Sequence, residues 1–167
     1  MNIFSNFFKK KKQIEMTKIF APISGNIIDI KEVPDIVFSD KIIGDGIAIN
    51  PTGNIIVAPI DGVIGKIFET NHAFSIKTYN KIELFVHFGI DTVNLKGKGF
   101  IRKFNLKKNN IVKKGEIIIK IDLNFLKKNA KSIYTPVIIS NIEKINKIKK
   151  YSGNVIAGID PILEVYK

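Results

Sequence analysis

Apolar residues along this chain come in short runs, each bracketed by residues that favour turns. Ile27, Ile28 and Ile30 follow the turn residues Ser24, Gly25 and Asn26. The segment Gly46-Ile47-Ala48-Ile49 stops at Asn50-Pro51-Thr52-Gly53-Asn54, a strong turn signal, and Ile55, Ile56 and Val57 begin the next run. Further strands are predicted over 63–68, 73–78, 83–88 and 117–121. β-branched runs punctuated by turns predict an all-β sandwich or barrel. Helical pattern is scarce, and short helical turns are expected only over 124–131 and 142–149.

The pattern also echoes itself. Ala21-Pro22-Ile23-Ser24-Gly25-Asn26-Ile27-Ile28 has the form of Ala58-Pro59-Ile60-Asp61-Gly62-Val63-Ile64-Gly65. A third turn, Val112-Lys113-Lys114-Gly115-Glu116, leads into 117–121. Two similar units predict a pseudo-symmetric sandwich closed by exchanged strands, being too few for a solenoid.

Residues 1–17 break the rhythm and are set apart from a β domain over 18–167. Ile3, Phe4, Phe7 and Phe8 fall at helical spacing, and Lys9, Lys10, Lys11 and Lys12 follow. Two readings stay open for this segment: an amphipathic stretch lying on an anionic membrane surface, or a disordered basic leader. Apolar residues precede the lysines, the reverse of a signal peptide. No apolar run approaches the ~18 residues that span a bilayer. With 167 residues and no cysteine, the chain is expected to be one cytoplasmic domain, a monomer, without disulfides or thiolate metal sites.

The net charge of +12 invites a nucleic-acid reading, but Arg102 is the only arginine. Base-reading proteins depend on the bidentate arginine fork. The excess of lysine, isoleucine and asparagine reads as codon bias of an AT-rich genome, and no nucleic-acid partner is expected.

Candidate chemistry centres on the two histidines, His72 and His87. Along Glu83-Leu84-Phe85-Val86-His87-Phe88-Gly89-Ile90, strand alternation puts Leu84, Val86, Phe88 and Ile90 on an apolar core face. Glu83, Phe85, His87 and Gly89 then point outward, with Gly89 leaving room beside the imidazole. His72 falls in a turn between the strands 63–68 and 73–78. If 73–78 and 83–88 are neighbours, the imidazoles lie close; otherwise they are unrelated surface groups. A neutral imidazole attacks phosphorus, a second one can donate to the phosphoryl oxygens, and an apolar rim limits hydrolysis. Two imidazoles would also supply half of a zinc site. No Walker loop is present, so direct use of ATP is not expected.

Several motifs together closely resemble the glucose-specific enzyme IIA family of bacterial sugar phosphotransferase systems. They are Val33-Pro34-Asp35-Ile36-Val37-Phe38, Lys41-Ile42-Ile43-Gly44-Asp45-Gly46-Ile47-Ala48-Ile49, Pro51-Thr52-Gly53-Asn54, Gly65-Lys66-Ile67-Phe68-Glu69-Thr70-Asn71-His72-Ala73-Phe74-Ser75 and Glu83-Leu84-Phe85-Val86-His87-Phe88-Gly89-Ile90-Asp91-Thr92-Val93. The resemblance runs from about residue 18 to the C-terminus. It implies an antiparallel β-sandwich of barrel-sandwich type with Greek-key and jelly-roll character. It implies a phosphotransferase component with a phosphohistidine at His87 Nε2, and His72 as the group supporting onward transfer. Thr70 would orient His72, the Gly89 carbonyl would fix the His87 tautomer, and Asp91 would lie at the edge of the site. Ile36, Val37, Phe38, Ile42, Ile43, Phe68, Phe85 and Val93 would form an apolar docking face.

The implied donor is the phosphocarrier protein HPr, and the implied acceptor is the IIB domain of a glucose-type transporter. Regulatory targets could use the same face, with zinc shared between His72, His87 and a partner carboxylate; no other cofactor is required. Lysines over 103–114 and 144–150, with Lys77 and Lys81, depart from the often acidic relatives, which bears on regulatory partners. Two alternatives are a regulatory binding protein without transfer activity and a lipoyl- or biotin-type carrier. The second lacks its Met-Lys-Met or Asp-Lys-Ala hairpin tip.

Overall fold

A computed structural model describes residues 13–167. The described chain forms strands β1 (Met16–Phe20), β2 (Gly25–Asp29), β3 (Asp45–Pro51), β4 (Ile55–Val57), β5 (Gly62–Ile67), β6 (Ala73–Lys77), β7 (Glu83–His87), β8 (Phe100–Arg102), β9 (Ile111–Val112), β10 (Ile117–Ile121), β11 (Thr135–Ile139), β12 (Lys147–Lys150), β13 (Gly153–Val155) and β14 (Pro161–Tyr166). Two short helices, α1 (Ile36–Ser39) and α2 (Leu123–Asn129), interrupt them.

The strands build an eight-stranded sheet, β13-β2-β3-β11-β7-β6-β5-β9, and two three-stranded sheets, β1-β14-β12 and β4-β10-β8. Every pairing is antiparallel. The result is the expected β-sandwich. Its main core draws on both sides: Ile47, Phe74, Ile76, Leu84, Val86 and Val137 from the large sheet, and Ile19, Ile119, Leu163 and Val165 from the small ones. Alternation works as the sequence implies for Leu84 and Val86 on β7 and for Phe88 just after it, all buried in the main core, whereas Ile90, beyond the strand's end, is buried in a separate small cluster with Ile30 and Phe38.

The internal echo appears as reciprocal hydrogen bonding. Phe20 N–H donates to the Pro59 carbonyl at 2.9 Å, and Val57 N–H donates to the Pro22 carbonyl at 2.8 Å. Ala21 pairs with a turn through Ala21 N–H to Asp160 O and Gly158 N–H to Ala21 O; Ala58 repeats this with Glu116 O and Gly115 N–H. The two Ala-Pro units therefore cap opposite halves of the sandwich in the same way.

The helical expectation over 142–149 fails. Ile142–Lys144 is a single 3-10 turn, and Lys147–Lys150 is strand β12 against β14. Ile148 is half-buried on the core while its lysine neighbours face water, which is strand alternation. The expectation over 124–131 holds as α2, capped where the Asp122 carboxylate accepts from Phe125 N–H at 2.9 Å.

α1 is an addition that the hydrophobic pattern did not predict. Asp35 caps it by accepting from Val37 N–H at 2.9 Å. The connection from β2 to β3 that carries α1 folds over the outer face of the large sheet. There Ile30, Val33, Phe38, Ala48, Ile90 and Ile138 form a second small core, with Phe85 half-buried against it. Burying a side chain such as Phe38 contributes on the order of 2–3 kcal/mol to holding that connection down.

Candidate functional site

β7 ends at His87, and the pairing of β6 with β7 sets Ala73 opposite it. His72 precedes Ala73, and its carbonyl accepts from Phe88 N–H at 2.7 Å. Strand register thus brings the imidazoles together, with ring centroids 4.8 Å apart in an edge-to-face arrangement. His72 is 5% exposed and His87 is half-buried.

Each ring is fixed by one short contact. His87 Nδ1 lies 2.8 Å from the Gly89 carbonyl oxygen. A carbonyl only accepts, so Nδ1 carries the proton and Nε2 keeps its lone pair. Thr70 Oγ1 lies 2.5 Å from His72 Nδ1. Burial, with the neighbouring His87 adding to it, pushes the His72 pKa down to about 4. Burial also holds His87 below the usual histidine value, while the Gly89 carbonyl and the charges of Asp35 and Asp91 oppose it. Both rings are therefore held neutral near pH 7.

Gly89 does not play the spatial part expected of it. The strand ends at His87, and Gly89 turns inward with φ +66. A Cβ there would stand 2.7 Å from the Ser132 carbonyl oxygen and 2.7 Å from Thr92 Cγ2. Gly89 is buried and opens no space beside the imidazole; it allows the tight turn that aims its carbonyl back at Nδ1. Asp91 follows, itself left-handed at φ +59 and exposed, and leads into the 3-10 turn Thr92–Leu95.

Aromatic rings surround the pair. Phe38 and Phe85 lie 5.2 and 5.9 Å from the His87 ring, and Phe68 lies 5.4 Å from His72 and 6.0 Å from Phe85. Of the eight apolar docking candidates, Ile36, Ile42, Ile43 and Val93 are exposed, at 64%, 64%, 37% and 50%. Val37, Phe68 and Phe85 are half-buried. Phe38 departs from expectation: at 4% exposure it belongs to the second small core and forms a wall behind His87, out of a partner's reach.

Two residues that the sequence reading left out of the site belong to its surroundings. Asp35 caps α1 and places a negative charge facing His87. Its signal was an acidic residue immediately ahead of an apolar run, the mark of an N-cap. Arg102 reaches the His72 turn from another sheet. Among the described residues no group of three or more histidine and carboxylate side chains is placed to hold a metal ion. The two imidazoles supply half of a tetrahedral set.

Residues 17–145 match the family model for the phosphoenolpyruvate-dependent sugar phosphotransferase system, EIIA 1. The chain belongs to this family. It is 61% identical over 170 residues to the glucose-specific EIIA component of Buchnera aphidicola subsp. Baizongia pistaciae, with all of both chains covered. It is 46% identical over 148 residues to an N-acetylglucosamine-specific EIICBA component of Klebsiella pneumoniae, covering 88% of this chain and 22% of that one. The solved glucose permease IIA from Mycoplasma capricolum superposes with a TM-score of 0.81 at 34% identity, covering 90% of this chain and 96% of that one. The chain is accordingly a phosphotransferase-system component that acts as a phosphocarrier.

Proposed function

We propose that His87 Nε2 accepts a phosphoryl group from phospho-HPr and delivers it to the IIB domain of a glucose-type transporter. The observation that carries this reading is the neutral imidazole whose Nδ1 proton is tied to the Gly89 carbonyl, beside a second imidazole at 4.8 Å. In the charging step the Nε2 lone pair bonds to phosphorus, the bond from phosphorus to the HPr phosphohistidine breaks, and HPr leaves as neutral histidine. With the Thr70 hydroxyl as donor in its contact with His72 Nδ1, the His72 proton would sit on Nε2 and serve a phosphoryl oxygen during the second transfer. The Phe38, Phe68 and Phe85 rings exclude water and protect the phosphohistidine from hydrolysis.

Ile36, Ile42, Ile43 and Val93 would meet the partners, with Val37, Phe68 and Phe85 beneath them. Asp91 and Asp35 at the edge favour a partner that brings a cation. The Klebsiella relative, an EIICBA component, joins C, B and A parts in its name, which supports a B domain as acceptor. Regulatory targets on the same face would have to tolerate the net charge of +12. A zinc ion at His72 and His87 fits only as a half-site and needs a partner to supply the remaining ligands. The place of work is the cytoplasm; no described helix is long and apolar enough to cross a membrane. Residues 1–12 lie outside the described residues. Their basic amphipathic pattern suits a peripheral contact with anionic lipid, which vesicle sedimentation of the full chain against a chain lacking them would reveal.

The test is incubation with phosphoenolpyruvate, enzyme I and HPr, followed by mapping of the phosphorylated residue. His87→Ala should carry no acid-labile phosphate; retained labile phosphate overturns the assignment. His72→Gln should charge at near the normal extent and pass phosphate to IIB at least about tenfold more slowly, the loss of one donor to a developing charge. Normal transfer would remove His72 from the mechanism.

A further inference from the structure

The chain's only arginine has no part in the reading above. Arg102 stands on β8, in the sheet β4-β10-β8, whereas His87 and the His72 turn belong to the eight-stranded sheet. Its guanidinium bridges the two. Nε donates to Asn71 Oδ1 at 2.7 Å, and Nη2 donates to the Phe68 carbonyl at 3.0 Å. These acceptors sit at the two ends of the turn 68–71 between β5 and β6. Asn71 N–H also donates to the Phe68 carbonyl at 2.8 Å, and Asn71 is left-handed at φ +59. Inside the turn is Thr70, whose hydroxyl lies 2.5 Å from His72 Nδ1.

We infer that Arg102 is a positioning residue for onward phosphoryl transfer: by clamping both ends of the 68–71 turn it fixes Thr70, and through Thr70 the His72 imidazole. The inference rests on the role proposed for His72. Two features make arginine the fitting residue. Its planar fork offers two donors in fixed geometry, one for each end of the turn, which a lysine ammonium cannot reproduce. Phe68, whose backbone carbonyl it holds, also bears the ring that packs on His72 at 5.4 Å, so the clamp controls the hydroxyl and the aromatic wall together. Arg102 is exposed and pairs only with polar groups of the turn, so the sandwich does not depend on it.

The test compares Arg102→Gln, Arg102→Lys, Asn71→Ala and His72→Gln in two assays: charging from phospho-HPr and discharge to a IIB domain. Arg102→Gln should charge within about twofold of the parent and discharge about five- to tenfold more slowly, with an unchanged melting curve. Arg102→Lys should recover part of the discharge rate. Asn71→Ala should reproduce the defect, and combining it with Arg102→Gln should add little, because both break one clamp. Nitrogen-15 shifts of the His72 ring should move from one fixed tautomer toward a mixture in Arg102→Gln. Unchanged discharge in Arg102→Gln, with His72→Gln slow, overturns the Arg102 role alone. Normal discharge in His72→Gln overturns both. Slow discharge with an unmoved His72 ring also overturns the positioning role.

Discussion

At the scale of single side chains, the site keeps two imidazoles neutral and holds each Nδ1 by one short contact. For His72 this has a cost in acid. Its pKa is about 4 in the folded protein, below the ordinary histidine value of ~6.5 in the unfolded chain. Between these values the unfolded chain binds the extra proton and the folded one does not. Stability is therefore fully present above pH ~6.5 and falls as pH drops toward 4, by at most about 3 kcal/mol from this residue. His87, depressed in the same direction, adds to the loss. Denaturant unfolding in chelator at stepped pH should show a flatter profile for His72→Gln than for the parent over this window; parallel profiles would show that His72 titrates normally.

At the scale of elements, the decisive piece is the connection that carries α1. It lays a small second core on the outer face of the large sheet and projects Ile36 and Ile42 from it. The same short stretch thus holds two kinds of apolar residue with opposite expected behaviour. Phe38→Ala should destabilise by about 3 kcal/mol through lost burial and a cavity. Ile42→Glu should change stability by less than about 0.5 kcal/mol and weaken docking of HPr about tenfold, read as a raised half-saturating HPr concentration in the charging assay. If Ile42→Glu charges normally, the exposed residues are not the docking face. The sequence could not separate these residues, because a four-residue helix has too little periodicity to say which side is covered. It did reveal β7, where one face is wholly apolar and alternation is unambiguous. It misjudged Gly89 because alternation was carried past the strand's last residue, His87, into a left-handed turn. β12 was misread for a related reason: lysine-rich residues around one isoleucine satisfy both periods, and only pairing with β14 decides between them.

At the scale of the whole molecule, the repeated Ala-Pro units were legible as a motif, and their reciprocal hydrogen bonds give the motif a mechanical meaning. Contacts between sheets, such as the Arg102 clamp, were not legible, since no local pattern encodes which turn a distant strand will face. The two halves meet where Gly158 and Gly115 approach. A Cβ on Gly158 would stand 3.1 Å from Gly115 Cα and 3.6 Å from Val57 Cγ2, whereas a Cβ on Gly115 would meet nothing within 4 Å. Both glycines are left-handed, at φ +72 and +85, so alanine at either carries the same kind of backbone penalty, about 1–2 kcal/mol. Only at Gly158 must the facing backbone also give way. Gly158→Ala should therefore melt below Gly115→Ala by roughly 2–4 °C, the shift that about 1 kcal/mol produces in a chain of this size. Charging of His87 should stay within about twofold in both, because neither turn contributes a group to the histidine pair. Equal melting temperatures would mean that the two halves adjust freely at this junction and that the symmetry is held by the Ala-Pro hydrogen bonds alone.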